Sequence, residues 1–108
     1  ETRHLINGKT LAKFKKGAML INTSRGPVVD EAEVVEALRA GFLAGYGADV
    51  FENEPDPHPE LLQMENVILT PHIASGTWDA RRKMGEVAVF NLLEVLSGKT
   101  PPNLAKIG

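Results

Sequence analysis

An α/β fold built on a parallel sheet is predicted for this 108-residue chain by three features of its sequence. Short apolar runs alternate with stretches of amphipathic, helical periodicity. Successive runs are separated by connections long enough to hold a helix, as right-handed βαβ crossovers between parallel neighbours require. No internal repeat or low-complexity tract competes with that alternation. Three strands and three helices are few for a doubly wound sheet, which needs cover on both faces. The chain therefore reads as the C-terminal part of such a sheet with a long C-terminal helix, and the sheet is expected to continue upstream.

The elements follow in order. Asn7 is placed to N-cap a short helix over 8–15, closed by Lys16-Gly17. Residues 18–22 form the first strand, read as buried. After a turn at Gly26-Pro27, Asp30 stands three residues before Glu33, the spacing of a capping-box variant, and opens a helix over 31–40 with Val34, Val35 and Leu38 as its apolar stripe. Gly41 stops that helix. Residues 43–50, small and non-polar, read as a central strand packed closely by its neighbours. Prolines and acids from Phe51 to Pro59 make a loop facing solvent, ended by a turn of helix at 60–64. Residues 67–70 are the third strand, broken by Pro71, which cannot donate a ladder hydrogen bond. Thr77 caps a helix over 78–97, terminated by Gly98 with Pro101 and Pro102 behind it. Met84, Val87, Ala88, Leu92 and Val95 share one side of it, and Val89, Phe90, Leu93 and Leu96 fill much of the other. Burial on two sides is the expectation.

Composition narrows the function classes. Hydrophobic residues make up 43% and charged residues 24%, with a net charge of −2, which describes a globular domain rather than a disordered or collagenous chain. The longest apolar runs, Ala18 to Ile21 and Val87 to Phe90, fall far short of the roughly 20 residues of a membrane-spanning helix. The 12 basic and 14 acidic residues are interspersed, so no nucleic-acid or anionic-membrane footprint stands out. The absence of cysteine excludes a disulfide framework, thiolate metal sites and a Cys nucleophile, and makes the cytoplasm the expected compartment. The chain opens on Glu1, and residues 1–6 lack the charged start and apolar stretch of a signal peptide, so it is expected to begin mid-protein.

Parallel α/β sheets bind ligands at the carboxyl ends of their strands. There the first strand runs into Thr23-Ser24-Arg25-Gly26, the second into Asp49, Glu52 and Glu54, and the third into His72 with Ala74-Ser75-Gly76 beyond. Singly, Arg25 reads as a surface cation, Glu54 as a solvated loop acid and His72 as a turn histidine. At three successive strand ends they read as a site suited to reversible hydride transfer to a 2-oxo acid. Arg25 offers a planar fork for a carboxylate. His72 can hand a proton to the carbonyl oxygen, and Glu54, bonded to the other ring nitrogen, would fix the tautomer and favour the imidazolium. No GxSxG elbow is present. Neither HxxxH nor HxH spacing occurs, so no metal site is expected from His58, His72 and the neighbouring acids. His58 reads as a loop residue, His4 as a packing or helix-start residue, Trp78 as packing at a helix start, and the Lys13-Lys15-Lys16 run as a solvated helix end.

The segments Ile21-Asn22-Thr23-Ser24-Arg25-Gly26-Pro27-Val28-Val29-Asp30, Asp49-Val50-Phe51-Glu52-Asn53-Glu54-Pro55 and Leu69-Thr70-Pro71-His72-Ile73-Ala74-Ser75 resemble those of the D-2-hydroxyacid dehydrogenase family, and the similarity runs over essentially the whole chain. The resemblance implies a Rossmann-type NAD(P)-binding domain over 1–98, and a tail over 99–108 leading back to a substrate-binding domain. It implies that Arg25, Glu54 and His72 are catalytic. Asp49 would hold the nicotinamide carboxamide, while Thr23, Ser24, Arg25, His72, Ala74, Ser75 and Gly76 would lie along the cofactor, NAD or NADP. A small 2-oxo or 2-hydroxy acid of the glyoxylate or hydroxypyruvate type is the implied substrate, and a homodimer the implied assembly, the fragment alone being inactive. The family's phosphate loop is missing: Gly45-Tyr46-Gly47 is a GxG inside a strand, with Val50 at the third glycine position. Formate dehydrogenases of this superfamily place glutamine where Glu54 stands. Phosphoglycerate dehydrogenases share all three motifs, but many continue into a further domain, whereas this chain ends soon after Pro101-Pro102-Asn103. Related transcriptional corepressors, which sense nucleotide without turnover, keep the same residues and are the alternative from a different class.

Overall fold

The computed structural model describes residues 2–105; Glu1 and the last three residues of the expected 99–108 tail lie outside them. The chain divides into two compact units, Glu1–Ala74 and Ser75–Gly108. In the first unit the order is α1 (Gly8–Leu11), β1 (Ala18–Asn22), α2 (Glu31–Arg39), β2 (Leu43–Ala48) and β3 (Val67–Leu69), with short 3₁₀ turns at Gly26–Val28 and Leu61–Gln63. The three strands form a parallel sheet in the order β1-β2-β3, so β2 is central, as its small residues predict. Asn22 pairs with Ala48 and Ala48 with Leu69. That register brings the three strands to an end side by side, and the residues that follow them emerge along one edge.

Local chemistry accounts for the element boundaries. Asn7 caps α1 by accepting from the Lys9 and Thr10 N–H groups, while Thr10 Oγ1 accepts from the Asn7 N–H, a complete capping box. The helix is shorter than the expected 8–15. After Leu11 the chain tightens to bonds from Lys13 N–H to Thr10 O and from Phe14 N–H to Leu11 O, which turn Phe14 onto the core. Asp30 caps α2 through the Glu33 N–H at 3.3 Å. Val34, Val35 and Leu38 are its buried stripe, and Gly41, at φ 64°, closes it. β2 ends at Ala48 rather than Val50, and β3 at Leu69 rather than Thr70. Beyond the shared register only single bonds continue, Asp49 N–H to Asn22 O at 3.0 Å and Thr70 N–H to Ala48 O at 2.9 Å.

The core lies between α2 and one sheet face, where Val34, Val35 and Leu38 meet Leu43, Tyr46 and Ala48, closed off by Leu11, Val29, Phe51 and Leu61. The expectation that the strands are buried on both faces is corrected here. Side chains alternate across a strand, and on the face away from α2 Met19, Ile21 and Ile68 are 76%, 72% and 73% exposed. Among the described residues of this unit no helix covers that face.

The second unit carries α3 (Trp78–Leu96), whose first turn is capped by Thr77 Oγ1 accepting from the Ala80 N–H at 3.2 Å. Its end is set by Gly98 at φ 74°, with Lys99 N–H bonding back to Glu94 O. The expected burial on two sides is absent. No residue of α3 is buried and Trp78 is exposed, because this unit holds no second described helix or strand to pack against. No helix among the described residues is long and apolar enough to cross a membrane.

The asymmetry of the sheet predicts opposite outcomes for two truncations in this chain. Leu43→Ala, on the buried face, should cost about 2–5 kcal/mol through lost transfer energy and the cavity left behind, whereas Ile68→Ala, on the open face, should change stability by less than about 0.5 kcal/mol. Urea denaturation of the two variants is the measurement, and equal losses would show that the open face is covered.

Candidate active site

Among the described residues of the first unit three polar or charged residues are buried, Asn22, Glu31 and Asp49, with 4%, 3% and 5% of their surface exposed. A buried polar group is costly unless its hydrogen bonds are made. Each of these three makes them with one of the loops at the carboxyl edge of the sheet.

Asn22 holds the loop after β1. Its Oδ1 accepts from the Ser24 N–H at 3.1 Å and the Ser24 hydroxyl at 2.8 Å, and its Nδ2 donates to the Arg25 carbonyl at 3.0 Å. The Arg25 side chain is exposed, with Nη1 donating to the Ser24 carbonyl at 2.7 Å. Gly26 then passes so close to the backbone of Phe51 that a Cβ would overlap its carbonyl group. Only glycine permits the β1 and β2 loops to touch there.

Glu31, the first residue of α2, holds the loop after β2. Its Oε1 accepts from the Glu52 N–H and its Oε2 from the His58 N–H, each at 3.0 Å. Glu54 stands between those two anchors. One of its oxygens accepts from the Phe51 N–H at 3.4 Å, and the other lies 2.9 Å from His72 Nδ1.

Asp49 holds the segment after β3. Its Oδ1 accepts from the Thr70 hydroxyl at 2.5 Å and the Ile73 N–H at 2.8 Å, and its Oδ2 from the Ala74 N–H at 2.8 Å. Between these bonds His72 sits at φ 53°, in the left-handed region that a non-glycine residue rarely adopts. Contacts to Asp49 on both sides of His72 hold the strained backbone in place.

The charges are set by these contacts. The hydrogen bond from His72 is the largest of the influences that lower the Glu54 pKa below the ordinary carboxyl value, helped by the Phe51 N–H and by the positive charges of His72 and Arg25 against some desolvation. Asp49 is lowered too, first by the Thr70 hydroxyl and then, against desolvation, by the Ile73 and Ala74 N–H groups. Burial, with the charge of Glu31, pushes the Tyr46 phenol up to about 12. Two concavities open at this edge. One of about 290 Å³ is lined by Phe51, Glu54, Pro55, Pro71 and His72. The other, of about 260 Å³, includes Ile21, Thr23, Gly47, Asp49, Ile68 and Thr70.

The structure thus brings Arg25, Glu54 and His72 to one sheet edge and bonds two of them together. Thr23 and Asp49 line the neighbouring concavity, Ser24 and Ala74 lie within the braced loops, and Ser75 and Gly76 are exposed at the start of the second unit. Gly45-Tyr46-Gly47 falls inside β2. His4 does more than pack: its Nε2 lies 2.6 Å from Glu52 Oε1 and its Nδ1 3.4 Å from Asp30 Oδ2. Sequence reasoning missed the braces Asn22 and Glu31. An asparagine two residues before a serine carries an Asx-turn signal that could have marked the first, whereas Glu31 reads only as an acid favourable at a helix start.

The family model described as D-isomer specific 2-hydroxyacid dehydrogenase, NAD binding domain, matches residues 1–74. The chain belongs to this dehydrogenase family. A glyoxylate reductase of Thermofilum pendens is 56% identical over 106 residues, covering 96% of this chain and 31% of the relative, and one from Thermococcus litoralis is 49% identical over 104 residues with the same coverage. The chain thus spans about a third of the length of the curated relatives it matches. Among solved structures, a glyoxylate reductase from Paecilomyes thermophila superposes with a TM-score of 0.86 at 40% identity, covering 92% of this chain and 30% of that one. A D-isomer specific 2-hydroxyacid dehydrogenase from Xanthobacter autotrophicus, in complex with NADPH and MES, does so with a TM-score of 0.85 at 42% identity, covering 97% and 43%. The three-stranded parallel sheet and its strand-end loops are therefore a portion of a Rossmann-type dehydrogenase fold.

Because the largest cause of the lowered Glu54 pKa is His72, His72→Ala should return the Glu54 carboxyl toward its ordinary titration range. A depressed carboxyl pKa stabilises the fold fully above the ordinary value and loses that contribution as pH falls through the lowered one. The variant should thus lose most of that contribution outright, and its Glu54 carboxyl should titrate at a higher midpoint than the parent's. Carbon-13 NMR of the glutamate carboxyls resolves this, and an unmoved Glu54 midpoint would show that the contact with His72 is not what holds it down.

Proposed function

We propose that this chain supplies the proton donor, its orienting carboxylate and the substrate anchor of an NAD(P)-dependent D-2-hydroxyacid dehydrogenase that reduces a small 2-oxo acid of the glyoxylate or hydroxypyruvate type. The observation that carries this is the Glu54–His72 contact of 2.9 Å at the carboxyl edge of a parallel sheet, where the loop bearing Arg25 also emerges. Similarity to glyoxylate reductases supports the substrate class.

With Nδ1 occupied by Glu54, the other ring nitrogen of His72 is left to face a substrate, and it hands a proton to the carbonyl oxygen of the 2-oxo acid. Glu54, kept ionised by its partners, fixes the ring's tautomer and angle. The Arg25 guanidinium is exposed, and beyond the bond from Nη1 to the Ser24 carbonyl its remaining N–H groups can grip the substrate carboxylate, which also draws electron density from the neighbouring carbonyl. The concavity beside Thr23 and Asp49 suits a nicotinamide ring. Its walls include Ile21 and Ile68, the absence of a side chain at Gly47 leaves room, and Asp49 Oδ2, which accepts one bond, keeps a lone pair for a carboxamide N–H. When bound there, the nicotinamide cofactor supplies the hydride. The family match to an NAD binding domain and the NADPH-bound relative support that cofactor class. In this reading residues 1–98 belong to the nucleotide-binding domain, the following tail leads to a substrate-binding domain, and the working enzyme is a cytoplasmic homodimer.

In the full-length enzyme, His72→Ala should lower kcat by about 100-fold or more while cofactor binding survives, the usual scale for losing a general acid. Near-normal turnover in that variant would move the acid role elsewhere, and tight NADH binding with no turnover of any 2-oxo acid by the parent would favour a nucleotide-sensing protein instead. Arg25→Lys keeps the charge and loses the fork, so steady-state kinetics should show both a higher KM for the 2-oxo acid and a lower kcat. Unchanged constants would remove Arg25 from the substrate.

A further inference from the structure

Of the three buried braces, Glu31 reaches furthest along the chain. Asn22 holds the residues just after it, and Asp49, just past β2, holds the segment after β3 at 21 to 25 residues' distance. Glu31 stands on a helix and accepts from backbone groups 21 and 27 residues later. A carboxylate is a costly group to bury, and an apolar side chain at that position would pack α2 without that cost. What an apolar side chain cannot do is accept two N–H groups from opposite ends of the loop that bears Glu54.

That loop has little of its own to hold it. Pro55, Pro57 and Pro59 have no N–H to donate, and its internal backbone bonding among described residues is Asp56 N–H to Asn53 O and the turn from Leu61 N–H to His58 O. On its outer side the Glu52 carboxylate meets Arg3 Nη2 at 2.8 Å and His4 Nε2 at 2.6 Å, so Glu52 is tied on one side by its side chain and on the other by its N–H to Glu31. Glu54 is exposed, and its place beside His72 depends on where the backbone on either side of it is fixed.

We propose that Glu31 is a positioning residue for the Glu54–His72 pair, closing the loop that carries Glu54 by gathering the Glu52 and His58 N–H groups onto one carboxylate. This rests on the catalytic reading above, in which that pair delivers the proton. The role requires a carboxylate in particular. The two donors meet different oxygens of the carboxylate, and an amide would put an NH₂ group in place of one of them, facing a backbone N–H.

The test is Glu31→Gln in the full-length enzyme with NADH and glyoxylate, at temperatures well below its unfolding midpoint. The expected result is a kcat lower by about tenfold or more, since small misplacements of reacting groups are costly, with the KM for NADH unchanged because the nicotinamide pocket is built on strand ends rather than on this loop. The acid limb of kcat/KM should also move to higher pH, because a Glu54 carboxyl drawn away from His72, Arg25 and the Phe51 N–H titrates nearer its ordinary range. A purely structural Glu31 would lower the unfolding midpoint and leave kcat and the acid limb where they were, which would overturn the proposal. Should Glu31→Gln fail to fold, His58→Pro removes one of the two donors and leaves the buried carboxylate in place. The same fall in kcat and shift of the limb are expected of it, and unchanged values would overturn the proposal equally. His72→Ala run in parallel separates the two levels: if it retains turnover, the catalytic reading has failed and this inference with it, and if it is inactive while Glu31→Gln is not, only the role of Glu31 has failed.

Discussion

A polar side chain buried at the carboxyl edge of a parallel sheet must find its hydrogen bonds in the loops beyond the strands, and that constraint organises the first unit of this protein. Asn22, Glu31 and Asp49 are buried there, and each fixes the backbone of one loop. Arg25, Glu54 and His72 are carried by those loops in turn. None of the three exposed residues is held by packing, and each is placed through backbone that a buried group controls. The register of the sheet makes this possible, since Asn22, Ala48 and Leu69 lie level and the three loops start from one line. A slip of the register by one residue would exchange the faces of the strand side chains and turn Asn22, the brace that stands on β1, outward.

The close approach of Gly26 to Phe51 couples two of the loops directly. Phe51 is buried, and its N–H also donates to Glu54. The residue that limits how near the Arg25 loop can come is thus also a partner of the carboxylate beside His72. With His4 and Arg3 on the outer side of Glu52, the β2 loop is fixed from inside by one carboxylate and from outside through another. Arg3 is well exposed and its ion pair adds little stability of that kind. The contacts to Glu31 are the stronger constraint, because that carboxylate is buried and breaking them would strip it of its two donors.

Much of this was legible in the sequence, for identifiable reasons. Helix starts at Asn7, Asp30 and Thr77 were marked by capping side chains, and Gly41 and Gly98 marked helix ends by the positive φ they adopt. The central place of β2 followed from its small residues. The convergence of Arg25, Glu54 and His72 followed from strand-end position alone, which needs only the strand boundaries to be about right. Burial was misjudged on the open face of the sheet and along α3, because hydrophobicity shows that a face seeks cover and not whether a given unit provides it. Glu31 was invisible as a brace. Its two contacts span 21 and 27 residues, and nothing in its neighbourhood separates it from Glu33, two residues on, which makes no such contact among the described residues.

Two acids at this edge have lowered pKa values for different reasons, and the difference sorts their roles. The oxygens of Asp49 are engaged inward, by a hydroxyl and two backbone N–H groups of the segment that carries His72. Its ionisation is therefore a condition of that segment's shape, and the strained backbone at His72 depends on it. Glu54 is exposed, and its principal partner is itself a titratable side chain. Protonating Glu54 would leave the backbone where the braces hold it and change only the charge facing the imidazole. The inner acid fixes geometry and the outer one sets the electrostatics around the imidazole of His72. Neither could take the other's part, because a buried carboxylate whose oxygens already bond the backbone cannot reorient toward an imidazole, and an exposed one on a proline-rich loop cannot hold a left-handed turn.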